Sequence, residues 1–172
     1  MKQGYSLLEV LVAVTIIGIL TGSSLVGYNR FQGRQGLKSA GEQLVSDLRL
    51  TQAKALSGEK ASSWCVDSDP VTPPDIYLSV WRLEFINPPT YDTYEIKAVC
   101  SDGSIASDKT ITFPNSVTRS GGDSFVDFAT INGTTSNASF VLSRQLGTSS
   151  SQITVTTTSA GLIKLWPITD IP

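Results

Sequence analysis

Residues 4–9 read Gly-Tyr-Ser-Leu-Leu-Glu, and they open an apolar run that continues to Tyr28. Between Tyr5 and Tyr28, Glu9 is the one side chain that is charged at neutral pH. A helix of these roughly 24 residues would measure about 36 Å, which is enough to cross a bilayer. A carboxylate inside such a segment costs on the order of 3 kcal/mol and is generally functional. The run therefore predicts a membrane-spanning helix over residues 5–28 and a specific role for Glu9.

Gly4 lies before the apolar run, whereas a secretory signal peptide has its small-residue cleavage site after that run. Cleavage after Gly4 would remove a leader (residues 1–4) and free the α-amine of Tyr5. This amine would lie one helical turn from Glu9, because residues i and i+4 share a face. In a staggered stack of identical helices, the amine of one chain would meet Glu9 of the next. The alternative is an ordinary signal-anchor helix, for which the single Lys2 is a poor charged flank.

This N-terminal stretch resembles the processing motif of bacterial type IV prepilins and type II secretion pseudopilins, Gly-Phe-(Ser/Thr)-Leu-(Ile/Leu)-Glu followed by an apolar segment. The resemblance implies cleavage after Gly4 by a prepilin peptidase, N-methylation of Tyr5 and an assembly role for Glu9. Two positions differ from the family: Tyr5 replaces the usual Phe, and Val26 stands where many members have a helix-kinking Pro.

After Tyr28 the sequence becomes amphipathic, and residues 29–57 predict the second half of the same helix, which we expect from about Ser6 to Leu56. Gly58 follows Ser57 and is a typical residue just past a helix end. The charged residues of this half, Asp47 and Lys54 among them, are expected to be solvated. Steps of four and three place one set of small and apolar residues on a single face that needs a partner: Leu37, Gly41, Leu44, Leu48, Thr51 and Ala55.

Residues 58–172 predict a β-rich domain, because short apolar segments alternate with turn residues. The longest predicted strand covers residues 76–86, with Tyr77, Trp81, Leu83 and Phe85 on one face. We expect Trp64, Trp81 and Trp166 to lie in the core. The other predicted strands cover residues 63–66, 94–100, 110–113, 125–129, 139–143, 152–157 and 162–166, and the last two form a hairpin.

The order of a long helix, a short strand, a Trp-containing strand and a final hairpin resembles the H-type minor pseudopilins and related minor pilins. The predicted fold class is α+β. It is a pilin-like fold with a long N-terminal helix, membrane-spanning in its first half and amphipathic in its second, packed on a C-terminal antiparallel β domain.

Cys65 and Cys100 are the two cysteines of the chain, and in an exported protein they predict a disulfide. Two buried free thiols are the alternative. Asp67, Asp69 and Asp75 carry oxygens that calcium prefers, but we expect a solvated proline-rich loop there. We expect no cofactor and no catalysis, because histidine is absent and no Ser-Lys motif is recognisable.

The net charge of −2 and the lack of a basic run make nucleic acid an unlikely main partner. The resemblance implies a structural subunit of a type IV pilus or a type II secretion pseudopilus. Its implied partners are other pilin or pseudopilin subunits, prepilin peptidase, an inner-membrane assembly platform and, before assembly, lipid. The chain would lie in the bacterial inner membrane with its N-terminus cytoplasmic, then in a periplasmic or extracellular fibre. The rival function is a minor pilin at the fibre tip that binds DNA or a surface, which a contiguous Arg/Lys patch on the β domain would favour.

Overall fold

A computed structural model describes residues 6–59, 65, 76–114, 116–130, 136–146 and 149–171, with backbone alone at 23–27, 29, 30 and 146. Its described part contains one helix, α1 (Leu7–Ser57), followed by antiparallel strands, so the α+β class is confirmed. The strands are β1 (Leu78–Ile86), β2 (Thr93–Cys100), β3 (Ile105–Thr112), β4 (Val117–Gly122), β5 (Phe125–Ala129), β6 (Ala138–Leu146), β7 (Ser149–Thr157), β8 (Ile163–Leu165) and β9 (Thr169–Ile171).

The helix begins and ends within a residue of the prediction. Ser6 has an extended backbone and precedes the first helical residue. At the other end Gly58 adopts the left-handed conformation, with φ 64°, which glycine reaches without a steric penalty. The Gly58 N–H donates to the Ala55 carbonyl and the Glu59 N–H to the Lys54 carbonyl, so two terminal carbonyl groups are satisfied.

The two ends of α1 differ in their surroundings. Residues 7–22, which we call the projecting half, are exposed to solvent, and residues 33–57, which we call the docked half, pack on the sheets. No helix in the part of the chain that the structure describes combines the length and the hydropathy that a membrane span requires. The structure therefore does not support the span predicted over residues 5–28.

The strands form two antiparallel sheets. The first has the order β3-β2-β1-β5, and the second has the order β4-β6-β7-β8, with β9 also paired to β7. In the first sheet Trp81 lies opposite Ala98 and Leu83 opposite Ile96. These residues are buried, as the alternation of β2 predicts. The predicted final hairpin is confirmed as β7 and β8.

The docked half of α1 covers the inner faces of both sheets and completes the core. The six positions of the predicted apolar face are buried. Each fully buried leucine among them contributes on the order of 2 kcal/mol relative to an exposed one. These leucines, at 0 % exposure, are Leu37, Leu44 and Leu48.

Some predictions about the strands were wrong. Tyr77 is 62 % exposed rather than inward-facing, because the pairing register of β1 shifts between Leu78 and Val80 and Leu78 takes the buried place. Trp166 is 44 % exposed, whereas Trp81 is fully buried as predicted. β4 and β9 were not predicted, and β3 begins five residues before the predicted residue 110.

Other predictions concern positions outside the described residues. These are Gly4, Tyr5, Trp64 and the loop that contains Asp67, Asp69 and Asp75. The strand predicted over residues 63–66 is described at Cys65 alone, where no strand is found.

Candidate functional site

The first turn of α1 holds the carboxylate that the motif singles out. The Ser6 carbonyl accepts hydrogen bonds from the N–H groups of Glu9, at 3.0 Å, and Val10, at 3.3 Å. Glu9 is therefore fixed in the first helical turn, where the helix dipole favours negative charge. Its side chain is exposed. This arrangement leaves the carboxylate available to a group from outside the chain.

The projecting half presents large apolar side chains around its circumference. Leu7 is 84 % exposed and Ile19 is 73 % exposed. Apolar surfaces of this extent mark sites of contact with another protein or with a membrane. The exposed set comprises Leu7, Leu8, Val10, Leu11, Val12, Val14, Ile16, Ile17, Ile19 and Leu20.

The threonines of the projecting half satisfy their own hydroxyl groups. Thr15 donates to the Val12 carbonyl and Thr21 to the Ile17 carbonyl, each at 2.8 Å. A hydroxyl that is bonded within its own helix makes little demand on the surroundings, so this segment suits an apolar environment.

The docked half contains a buried carboxylate that the sequence prediction misplaced. Asp47 was expected to be solvated, but it is 5 % exposed. Its Oδ2 accepts a hydrogen bond from the Tyr94 hydroxyl at 2.6 Å, and its Oδ1 accepts one from Lys109 Nζ at 3.0 Å. Burial raises the pKa of Tyr94, and the bond to Asp47 raises it further. The spacing contained the signal, because Asp47 follows Leu44 by three residues and precedes Thr51 by four on the buried face.

Lys54 was also predicted to be solvated, and this prediction was wrong too. Its side chain is 13 % exposed, and its Nζ lies 2.8 Å from Glu59, 3.2 Å from Asp108 and 4.8 Å from the centre of the Trp81 ring. Burial lowers the pKa of Lys54, but hydrogen bonds and attraction from the two carboxylates outweigh it, so the pKa stands above its ordinary value. Lys54 thus joins the end of α1 to the sheet domain.

The start of the docked half is joined to the second sheet. Arg34 forms an ion pair with Asp170 of β9, and the Ser151 hydroxyl donates to the same carboxylate at 2.7 Å. Arg144 of β6 donates to the Gly33 carbonyl at 3.4 Å. Polar contacts therefore hold both ends of the docked half.

Cys65 and Cys100 form a disulfide, with Cα atoms 5.4 Å apart. The described residues contain no group of three or more candidate metal ligands. The aspartates of the weak calcium candidate lie outside them.

The cationic side chains of the strands are engaged with carboxylates in three cases. Arg82 binds Asp127 through two nitrogens, at 2.6 and 2.8 Å, Lys97 pairs with Glu84, and Lys109 pairs with Asp47. Charges compensated in this way contribute little to phosphate binding.

One comparison with known proteins gives a match. Residues 1–25 match the family model described as the prokaryotic N-terminal methylation motif. The match spans 25 of the 172 residues and supports a prepilin-like N-terminus. It covers the projecting half and the residues before it, and it does not extend into the sheet domain. No curated protein and no solved structure matches the chain.

Proposed function

We propose that this chain is a structural subunit of a fibre, either a type IV pilus or a type II secretion pseudopilus. The observation that carries the proposal is the projecting half of α1. It is apolar around its circumference, exposed and charged at Glu9 alone, and it lies within the methylation motif. Packing of such helices side by side buries the apolar surface that the sheet domain leaves uncovered.

The proposed maturation follows from the position of the motif. Prepilin peptidase cleaves after Gly4, and the new N-terminus at Tyr5 is methylated. The processed helix waits in the inner membrane, and an assembly platform then transfers it to the fibre. In the fibre, the amine of one chain pairs with Glu9 of its neighbour, so that both charges are compensated in a low-dielectric core.

A DNA-binding role at the fibre tip gains less support. Three cations of the strands are already bound to carboxylates, and Lys164 lies over the Trp166 ring. This mixed surface favours a structural role.

We further propose that the chain is a minor subunit similar to the H-type pseudopilins. This part of the proposal rests on the order of the helix and strands along the chain. We also propose that the chain is not an enzyme.

Mass spectrometry of the N-terminal peptide tests the proposal in native membranes and in sheared fibres. We expect a peptide that begins at Tyr5 and carries one methyl group. An intact Met1 start in assembled fibres contradicts the proposal. Gly4→Leu is the matched variant, because it should block cleavage while it leaves the apolar run unchanged.

A further inference from the structure

The outer faces of the two sheets, which point away from α1, differ in chemistry. The outer face of the first sheet carries paired charges, such as Lys97 with Glu84. On the second sheet, alternation and pairing register place uncharged hydroxyl and amide side chains outward. Lys164 is the one ionisable side chain that we find among the described residues of this outer face. We call the following six residues the polar face: Thr118, Ser139, Ser143, Gln152, Thr154 and Thr169.

Four residues of the polar face form a row that crosses the sheet from β4 to β9. Thr118 lies opposite Ser143, and Ser143 lies opposite Gln152. Gln152 in turn lies opposite Thr169. Adjacent strands are roughly 4.8 Å apart, so the row is about 14 Å long. An extended ligand that lies across the strands would therefore meet a hydrogen-bonding group on each of them.

The side chains of the polar face make no hydrogen bond to other described residues. Hydroxyl groups on the first sheet differ in this respect. Thr93 and Thr112 are bonded to each other at 3.2 Å, and Thr110 donates to Glu95 at 3.2 Å. Hydroxyl and amide groups both donate and accept hydrogen bonds. Those of the polar face are therefore open to a ligand that offers donors and acceptors together.

Trp166 adds an aromatic surface beside the row. Strands β8 and β9 both pair with β7, and a groove of about 340 Å³ opens where the chain passes from one to the other. Sites for small molecules have volumes of roughly 300–1,000 Å³. Trp166 is 44 % exposed, and its Nε1 donates to Thr156 Oγ1 at 3.1 Å, so the indole is held in place. The groove is lined by Thr154, Thr156, Trp166, Pro167 and Thr169.

These groups match the chemistry of an uncharged polysaccharide. Sugar hydroxyl groups donate and accept hydrogen bonds as Ser, Thr and Gln side chains do, and the C–H face of a sugar ring packs against an aromatic ring. A ligand without charge also leaves no charge unpaired when it covers a face without charged pairs. A nucleic acid would require several cations, of which this face supplies Lys164 alone. The core of a protein–protein interface, in turn, is depleted in serine.

We propose that the polar face and Trp166 together bind an uncharged polysaccharide chain. One sugar ring packs on the indole in the groove, and the neighbouring sugars form hydrogen bonds along the row from Thr169 to Thr118. The polar face lies on the side of the sheet opposite α1, so contacts that the helix makes in a fibre do not cover it. This binding adds to the proposed structural role and does not depend on it.

Isothermal titration calorimetry of the full chain, in a detergent without a sugar headgroup, tests the proposal. The uncharged probes are cellohexaose, chitohexaose and maltohexaose, and oligogalacturonate is the acidic probe. We expect at least one uncharged probe to bind, and to bind more tightly than its monosaccharide, because the row is longer than one sugar ring. Its affinity should be the same at low and high salt, because no ion pair is formed.

Substitutions locate the binding on the polar face. Trp166→Ala should raise the dissociation constant by about tenfold or more, because buried aromatic contacts dominate many interfaces. Thr154→Val keeps the shape of the side chain without its hydroxyl group, and should raise the constant by about threefold. Phe125→Ala is the matched aromatic control, since Phe125 is 42 % exposed on the first sheet. Thr110→Val is the hydroxyl control on that sheet, and neither control should change the constant.

The proposal is overturned if no uncharged probe binds or if oligogalacturonate alone binds. It is also overturned if Trp166→Ala has no larger effect than Phe125→Ala while circular dichroism shows that both variants are folded. Binding that weakens as the salt concentration rises contradicts it as well, because that dependence indicates a charged ligand. The processing at Tyr5 is measured separately, so failure of the polysaccharide site leaves the proposed fibre subunit standing.

Discussion

The two halves of α1 have the same secondary structure and opposite relations to the rest of the chain. The docked half buries one face against two sheets, and polar contacts hold it at both ends. The projecting half makes no such contact among the described residues and exposes large apolar side chains around its circumference. The comparison teaches that the chain itself covers the apolar face of the docked half, while it leaves the apolar surface of the projecting half uncovered.

Asp47 in the docked half and Glu9 in the projecting half differ in the same way. Asp47 is buried, and the chain supplies its partners, Tyr94 and Lys109. Glu9 is exposed in the first turn and receives no side-chain partner from the described residues. A carboxylate that becomes buried in a fibre needs a counter-ion, and we propose that the partner of Glu9 comes from another chain.

The largest expected effect is on assembly and comes from Glu9→Leu. In the maturation that we propose, processing requires Gly4 and retention requires the apolar run, so the variant should be cleaved and should stay in the membrane fraction. Its incorporation into sheared fibres should fall by about 100-fold, because the neighbouring amine loses its buried counter-ion. Glu42→Gln is the control on the same helix, since this carboxylate is exposed. Wild-type amounts of Glu9→Leu protein in fibres would exclude the pairing.

The disulfide gives the largest effect on the sheet domain. The double variant Cys65→Ser with Cys100→Ser opens a loop with a sequence separation of 35 residues. We expect the free energy of unfolding to fall by about 3–4 kcal/mol, because the unfolded chain gains conformations. Denaturant unfolding of the full chain in detergent measures it, and peptide mapping without reductant checks the link. An unchanged midpoint, or two alkylated thiols in the exported protein, would contradict the prediction.

Asp47→Ala tests whether the docked half depends on its buried carboxylate. The variant leaves the Tyr94 hydroxyl buried without its acceptor and removes the partner of Lys109, which is half exposed. We expect a loss of about 2–3 kcal/mol in the free energy of unfolding. Tyr94→Phe should cost less, and the double variant should cost less than the sum, because both changes remove one interaction. Strict additivity would show that the Asp47–Tyr94 bond contributes nothing.

Substitution of one glycine in each half compares how tightly the two halves are packed. A Cβ on Gly18 would meet nothing within 4 Å, whereas one on Gly41 would lie 3.1 Å from the side chains of Ile153 and Leu165. Gly18→Ala should therefore stabilise the helix by about 1 kcal/mol. In Gly41→Ala, crowding should cancel that gain or exceed it. Thermal melting followed by circular dichroism distinguishes the two variants. Equal shifts in melting temperature would mean that the side chains around Gly41 move aside without a cost in stability.

The bounds and the buried face of the helix could be predicted, because both depend on residues that are close together in the sequence. The buried face of the docked half and the end at Gly58 follow from residue spacing alone. The environments of Asp47 and Lys54 could not be predicted from residue type, since charged residues are rarely buried without partners. Their partners come from β2 and β3 or lie beyond the end of the helix, far along the sequence for Tyr94, Asp108 and Lys109.

The strands were predictable where alternation is strong and less so elsewhere. β5 was predicted with its observed bounds, but β4 contains two glycines and polar residues that give no alternating pattern. β9 is three residues long and exists through its pairing with β7. The outward turn of Tyr77 depends on a register shift against β2, which no pattern within β1 contains. For the candidate site, the motif identified Glu9, whereas the partner that we propose for it belongs to another chain and no pattern in this sequence specifies it.

The smallest expected effect concerns Asp170, which ties β9 to the start of the docked half. The hydrogen bond from Ser151 and, after it, the charge of Arg34 hold the pKa of this exposed carboxyl below its usual value. A depressed pKa means that the folded state favours the ionised form. The resulting stability is present above the unfolded pKa and is lost as the pH falls through the folded pKa.

In Ser151→Ala the pKa of Asp170 should therefore rise toward its ordinary value. The contact that Asp170 makes between β9 and the docked half should then be lost at a higher pH than in the wild type. Carboxyl chemical shifts of the full chain in micelles, followed through an acid titration, measure this directly. Arg34→Gln should move the pKa in the same direction by a smaller amount, because attraction between exposed charges is screened by solvent. The projecting half contains no such tie, so its helical signal should not follow this titration. A helical signal that changed together with the Asp170 shift would show that the two halves are coupled, and the division between them would have to be abandoned.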